Sequence, residues 1–533
     1  MPVMKKLMVL LVLAAGLMMG LSVSTSVASD PVPTLTPPTL VPTQDAGISD
    51  ALLSESTISR VQRDGKVRVG LLYNAPPFGE LNVRGEVTGY DADLARSMAE
   101  AWGVKVEPVQ VTRQTGLVML KNGTVDMLMG AQVHRRELDS EVEFSLTYYP
   151  GSVSILIRQD DSATKLADMA NRKIGVVMGT SAEGTAAAWQ ARTNITLTLQ
   201  RYLTLDQAFV ALVNKEIDGV LESRIDLLHI LRQPDMGKIL DEPVAPEPYA
   251  IAVRRQDVNW LNLVNRTLQY LVKKGRMAEI QKAYFPGANY PPDLIPLWAG
   301  LSDDAPKPSQ FGTDVPYPAQ YVVPRIQQAR IVRVAGVNDV PADAPESDKR
   351  LDTLNRAMVE AMAKRWGMTV QYIPNSAANA LDLVAGGQAD LAVGVSLDWA
   401  AADKVDLTLP YLLHGQRLLV KADSDAETFT EIRGQWVGVF ASEPGVSDTV
   451  NKLADSVGAS VRIFTINRDQ DAAFSMLSES NADVIFGDSL KLIPLLEANA
   501  GQLKLSKRKN APDPWYSRSY LTFAVPRNDL VFR

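Results

Sequence analysis

The feature that most limits what this chain can fold into is a long internal repeat. Val67-Arg68-Val69-Gly70 recurs as Val332-Arg333-Val334-Ala335, and Trp102-Gly103-Val104 as Trp366-Gly367-Met368. Asp126 recurs as Asp390, Gly175-Val176-Val177 as Gly438-Val439-Phe440, and Ile217-Asp218-Gly219-Val220 as Ala482-Asp483-Val484-Ile485. The order is kept and each pair lies 263 to 265 residues apart. Solenoid units are only some 20–45 residues long, so a period this long marks a duplicated domain.

Within each copy, short β-branched runs alternate with helical patterns. Lys66 to Leu72 alternates as a strand does. Tyr90 to Trp102 has Leu94, Met98 and Ala101 at helical spacing and is closed by Gly103, and Val104 to Val111 is strand-like again. That rhythm predicts α/β units with mainly parallel sheets, which place ligands at the carboxyl ends of their strands. A chain of 533 residues with 46% hydrophobic residues has room for several such cores.

Lys5 and Lys6, the apolar run Leu7 to Val23 and Ser26-Val27-Ala28 read as an export signal over 1–28. Cleavage after Ala28 and retention as a membrane anchor both fit. Residues 29–57 form a Pro/Thr-rich stalk and 286–326 a Pro-rich linker, leaving domains at 58–285 and 327–533. With no cysteine, disulfides, thiolate metal sites and a cysteine-linked lipid anchor are excluded. A net charge of −7 argues against nucleic acid as a partner.

The first copy resembles the bacterial extracellular solute-binding proteins of family 3, the polar amino acid type. The resemblance is carried by Lys66 to Gly70, then Ala75-Pro76-Pro77-Phe78 and Gly89 to Leu94. Val125-Asp126, Phe144-Ser145, Tyr148-Tyr149, Lys173 to Val176 with Gly179-Thr180, and Leu271 to Phe285 continue it. The resemblance implies tandem bilobal domains of the type II periplasmic-binding-protein fold, each with two α/β lobes on hinge strands, here near 151–157 and 249–253. It implies a small polar ligand, an amino acid or a related molecule, passed to an ABC-type importer permease or read by a sensor outside the cytoplasmic membrane. No cofactor or metal is implied.

By that resemblance Phe78 packs on the ligand, and Gly179 and Thr180 offer backbone N–H groups at a strand-to-helix turn. A bidentate arginine holds the ligand's carboxylate. The family's Thr-x-Thr-x-x-Arg segment is altered here to Gln132-Val133-His134-Arg135-Arg136, so Arg136 is the first choice and Arg135 the second. The acidic position for the ligand's amine falls on Ser223, with Glu222 beside it. Asp91 and Asp93 are expected to support a helix start. In the second copy Asp488 fits the amine position, whereas Ser396 to Ala400 carries no arginine and the position of Phe78 falls near Asp343. That copy reads as divergent, and as lacking the terminal helix that follows Asp257 in the first.

Two other functions remain open from the residues. One is an enzyme on the same fold, such as a cyclohexadienyl dehydratase, which needs an acid or base in the cleft; only Glu222, His134 and Asp91 are candidates. The other is a ligand-free structural or interaction protein. No catalytic residue is assigned.

Overall fold

A computed structural model describes residue 52 and residues 55–533, except 232–235, 287–293, 338, 375–378 and 509–512. The expected export signal and nearly all of the Pro/Thr-rich stalk lie outside the described residues.

The first repeat opens with α1 (Thr57–Asp64) and β1 (Lys66–Leu71). In α2 (Tyr90–Trp102), Tyr90, Leu94, Met98 and Trp102 are buried. Asp91 and Asp93 stand in its first turn, where the helix's partial positive charge favours carboxylates. Gly103 ends α2 at φ 73°, a conformation that only glycine adopts without strain. Then come β2 (Lys105–Gln110), β3 (Met127–Leu128), β4 (Val142–Ile157), β5 (Lys173–Val177) and α3 (Ser181–Thr193). β6 (Thr198–Tyr202), β7 (Gly219–Ser223), α4 (Arg224–Ile230), β8 (Ala245–Arg254), α5 (Val258–Lys273) and α6 (Arg276–Tyr284) complete the unit.

Its strands join in the order β2-β1-β3-β8-β4-β7-β5-β6. β1, β2 and β3 run parallel, as do β5, β6 and β7. β4 and β8 are antiparallel to each other and run through both groups, so they form the hinge between two lobes. Each lobe has its own apolar core, one around Leu94, Met98 and Trp260, the other around Ile155, Val176 and Trp189.

The repeated aspartates tie strand ends together. Buried Asp126 accepts from the Arg68 backbone N–H at 2.6 Å and from its guanidinium at 3.0 Å; Asp390 does the same with Arg333 at 2.6 and 2.9 Å. Asp218 accepts from the Lys173 N–H at 2.9 Å and Asp483 from the Trp436 N–H at 2.8 Å. The sequence landmarks are thus architectural.

The second repeat comprises α7 (Val322–Ala329), β9 (Ile331–Ala335), α8 (Glu346–Arg365), β10 (Thr369–Tyr372), β11 (Leu391–Ser396) and the short α9 (Trp399–Ala402). β12 (Leu412–His414), β13 (Gln416–Lys421), β14 (Trp436–Phe440), α10 (Val446–Ser456) and β15 (Arg462–Ile466) follow, then β16 (Val484–Asp488), α11 (Ser489–Ala498) and β17 (Ser519–Val525). Here the sheet is split in two. The strand matching β4 breaks at Gly415 into β12, which pairs with β17, and β13, which pairs with β16.

The proline-rich stretch between the repeats is packed where it is described. Gln62 donates to the Pro308 carbonyl at 2.8 Å, and the polar face of α5 meets both linker and second repeat. Asn259 donates to the Gly312 and Asp314 carbonyls, Arg266 pairs with Asp403 at 2.5 Å, and Gln269 accepts from the Trp399 indole at 2.9 Å. Trp298 packs on Trp399 with ring centres 4.4 Å apart. α5 therefore buries one face in its own lobe and presents its 259–262–266–269 stripe to the second domain.

Candidate functional site

Between the lobes of the first domain lies a cavity of about 170 Å³. One wall comes from the loops that follow β2 and β3: Thr112, Arg113, Gly116, and Gly130 to Val133 with Arg135. The other comes from Gly179, Thr180 and Ser181 at the start of α3, and from Glu222, Ser223 and Asp226 where β7 runs into α4. Glu247 and Tyr249 on hinge strand β8 close its base. Every segment is a strand end or a hinge, where an α/β fold leaves backbone groups and side chains free for a ligand.

The floor is held from behind. Asp91, fully buried, accepts from the Ala131 N–H at 2.8 Å and from the Tyr148 hydroxyl at 2.7 Å, fixing the loop after β3. Burial pushes its carboxyl up to about 7. Phe78 is 2% exposed and does not line the cavity. Its ring stacks on Tyr249 at 4.8 Å, within a cluster that includes Tyr90, Tyr149 and Phe285. Gly151, opposite Glu247 in the hinge, has no room for a side chain, since a Cβ there would lie 2.5 Å from the Tyr249 ring.

The lobe built on β5 to β7 is acidic at the cavity. Glu222 is 3% exposed; it accepts from the Thr180 hydroxyl at 2.9 Å and from the Ser223 N–H at 2.9 Å. Burial outweighs those bonds and pushes its carboxyl up to about 7. Asp226 is also raised, by burial, with the Arg113 charge opposing. Glu247 accepts from the Ser181 hydroxyl at 2.6 Å, joining hinge to lobe. The opposite wall carries Arg113, whose charge acts on Asp226, and Arg135; both residues are exposed.

A family model describes this architecture: that of the bacterial extracellular solute-binding proteins, family 3, which matches residues 67–287 and 333–483. The chain belongs to that family. Both repeats are matched, so it is a tandem member. Among curated proteins it is similar to a glutamine-binding protein of Geobacillus stearothermophilus, 27% identical over 40% of this chain and 81% of the relative. It is also similar to an L-arginine-binding protein of Pseudomonas aeruginosa, 24% identical over 44% of this chain and 93% of the relative. Among solved structures, an ancestral arginine-binding protein bound to arginine is 28% identical over 42% of this chain and 98% of its own, with TM-score 0.36. An ancestral amino acid-binding protein described as a precursor of cyclohexadienyl dehydratase is 26% identical over 43% of this chain and 99% of its own, with TM-score 0.37.

Of the residues expected for a family 3 site, Arg135, Gly179, Thr180, Glu222 and Ser223 lie together on the cavity wall. Arg136 lies outside that wall, exposed at the start of a short turn of helix (Arg136–Leu138). His134 stacks on Phe144 at 4.3 Å and bonds Asp139 at 2.8 Å. Arg113, Asp226, Glu247 and Tyr249 were not anticipated. Arg113 follows β2 by three residues and Asp226 lies in the first turn after β7, so the strand-end rule alone pointed to both. Glu247 sits between Pro246 and Pro248 and gave no such signal. Asp488 lies in the second domain, where its carboxylate caps α11 through the Leu490 N–H at 2.9 Å and bonds His414 at 2.7 Å. Among the described residues no group of three His, Asp or Glu side chains is placed to hold a metal ion.

Proposed function

We propose that the first domain captures an amino acid with a cationic side chain, of the arginine or lysine class, and closes its lobes over it outside the cytoplasmic membrane. The observation that carries this reading is the charge of the cavity. Three carboxylates, Glu222, Asp226 and Glu247, stand on one lobe and the hinge, and two guanidiniums, Arg113 and Arg135, stand on the other lobe. A basic amino acid brings two cations and one carboxylate, the complement of that set. Its carboxylate would take a charge-assisted bond from Arg135 or Arg113, and its cations would face the three acids. Thr180, Gly179 and Ser223 would complete the contacts, and Phe78 would back Tyr249. Burial holds Glu222 near 7; a bound cation would favour its ionised form, so ligand and carboxylate would stabilise each other.

Closure joins the two wall groups, so binding biases a two-state hinge. The captured solute would go to a membrane partner, an ABC importer or a sensor, after export directed by the N-terminal segment. The test is a calorimetric titration of the intact chain with arginine, lysine, glutamine and glutamate. Saturable binding of arginine or lysine and none of glutamate is expected; preference for glutamate would overturn the charge argument. A carboxyl that titrates near neutrality is also what a general acid requires. Turnover of a cyclohexadienyl acid, lost in Glu222→Gln, would replace capture by catalysis.

A further inference from the structure

In the second domain, strand register identifies the counterparts of the first domain's acidic wall. β7 and β16 pair with β5 and β14 in the same register, so Gly487 stands where Glu222 does, Asp488 where Ser223 does and Lys491 where Asp226 does. Val177 becomes Phe440 and Gly179 becomes Ser442. In the hinge, His414 and Ser519 form the pair that Gly151 and Glu247 form in the first domain. None of the three carboxylates has a carboxylate counterpart, and one is replaced by an ammonium.

That ammonium is caged. Lys491 Nζ pairs with Asp469 and donates to Ser442 Oγ at 3.0 Å, and Ser442 Oγ donates to Asp469 at 3.1 Å. The Nζ also lies 5.4 Å from the centre of the Phe440 ring, within cation–π range. The Lys491 and Asp469 side chains are each only 15% exposed. The substitutions support one another: a Cβ on Gly487 would lie 2.6 Å from the Phe440 ring, so the loss of Glu222's counterpart makes room for the aromatic face. Glu443 supplies a carboxylate in Glu222's stead, accepting from the Asp488 N–H at 3.0 Å, the position of the Ser223 N–H that Glu222 accepts from.

We propose that this corner of the second domain is a primary-ammonium site that the chain fills with its own Lys491, so that the domain holds an internal counterpart of a ligand. A carboxylate, a hydroxyl and an aromatic face around one nitrogen are the elements that recognise an alkylammonium. The segment matching the first domain's Arg135 is meanwhile spent on docking, since Trp399 bonds Gln269 on α5. The cage stands on the geometry of the second domain and not on the ligand assigned to the first.

The test uses the intact chain, and the second domain's unfolding is followed by the fluorescence of its own tryptophans and by chemical labelling of Lys491. Lys491→Ala leaves a gap the size of n-propylammonium. The variant should melt earlier in the second domain, and tens of millimolar n-propylammonium should restore the wild-type midpoint while tetramethylammonium does not. Lys491→Ala combined with Asp469→Asn should not be restored. Equal midpoints for variant and wild type, or equal rescue by both amines, would overturn the proposal. Where Lys491→Ala does not fold, the wild-type chain still decides: under dilute acetic anhydride Lys491 should be acetylated at least tenfold more slowly than Lys215, whose side chain is 68% exposed. Equal rates would contradict the cage.

Discussion

The two domains share a two-lobed plan and differ in how the charges at its strand ends are placed. In the first, carboxylates at 222, 226 and 247 line a cavity, and Asp226 has no hydrogen-bond partner among the described residues. In the second, the matching positions are Gly487, Lys491 and Ser519; Asp469 pairs with Lys491 and Asp488 with His414, while Glu443 accepts from the Asp488 N–H at 3.0 Å. The hinge differs likewise. β4 is one continuous strand of 16 residues, whereas its counterpart is broken into β12 and β13 between two separate sheets. A duplicated domain can therefore keep its fold while its charges are satisfied from within, because strand ends tolerate substitution that cores do not.

The largest effect that would break this contrast is expected at Glu222. Glu222→Ala removes the most buried acid on the cavity wall and should weaken arginine binding by about thirtyfold to a few thousandfold in a calorimetric titration, in line with about 2–5 kcal/mol for one partner of a buried charge pair. An unchanged affinity would mean the acidic wall does not read the ligand.

Next comes the contact that holds the domains together. Trp399→Ala strips the Trp298 and Gln269 partners and should cost about 3–5 kcal/mol, as other buried tryptophans do, seen as a lower chemical-denaturation midpoint of the second domain. Arginine affinity should stay within twofold, because Trp399 is remote from the first cavity's lining. A large change in affinity would show that the two domains are coupled.

The two arginines sharpen the site itself. Arg135→Ala should weaken binding about tenfold, the loss of one charge-assisted bond of about 1.5 kcal/mol. Arg136→Ala should change it less than twofold, since that side chain lies off the cavity wall. The reverse order, read by titration, would mean that the loop rearranges on closure.

The last difference is a pH slope that both domains share. Glu222 and Glu443 are both raised by burial from 4.5 to about 7. Between these values the folded state holds a proton that the unfolded state has released. Stability of the empty chain should therefore fall as pH rises from about 4.5 to 7, by up to about 1.4 kcal/mol per pH unit for buried Glu222 and by less for the half-buried Glu443. Glu222→Gln should flatten the first domain's slope and Glu443→Gln the second's. Saturating arginine should reverse only the first, a difference that melting curves across pH would resolve.

Much of this was legible in the sequence. The repeat, the two-lobed α/β plan and the aspartates at 126, 390, 218 and 483 could be read directly, because each has a local partner one strand away. Gly179, Thr180, Glu222 and Ser223 could be read because they sit at strand ends the family pattern marks. Phe78 could be named but not placed, since the rings that enclose it, Tyr90, Tyr149, Tyr249 and Phe285, are scattered over more than two hundred residues. Glu247 was illegible for a similar reason: a hinge strand that crosses both lobes brings its first residues to the cavity, and no local pattern reports that. Lys491 drew no notice because an exposed-looking lysine on a helix is ordinary until its register with Asp226 is known.

The central claim is that one cleft binds and the other is filled from within. It is tested most directly by the stoichiometry of arginine in a calorimetric titration of the intact chain. The account predicts one equivalent per chain, abolished by Glu222→Ala and untouched by Asp488→Asn. Two equivalents, or one that survives Glu222→Ala and disappears with Asp488→Asn, would contradict it.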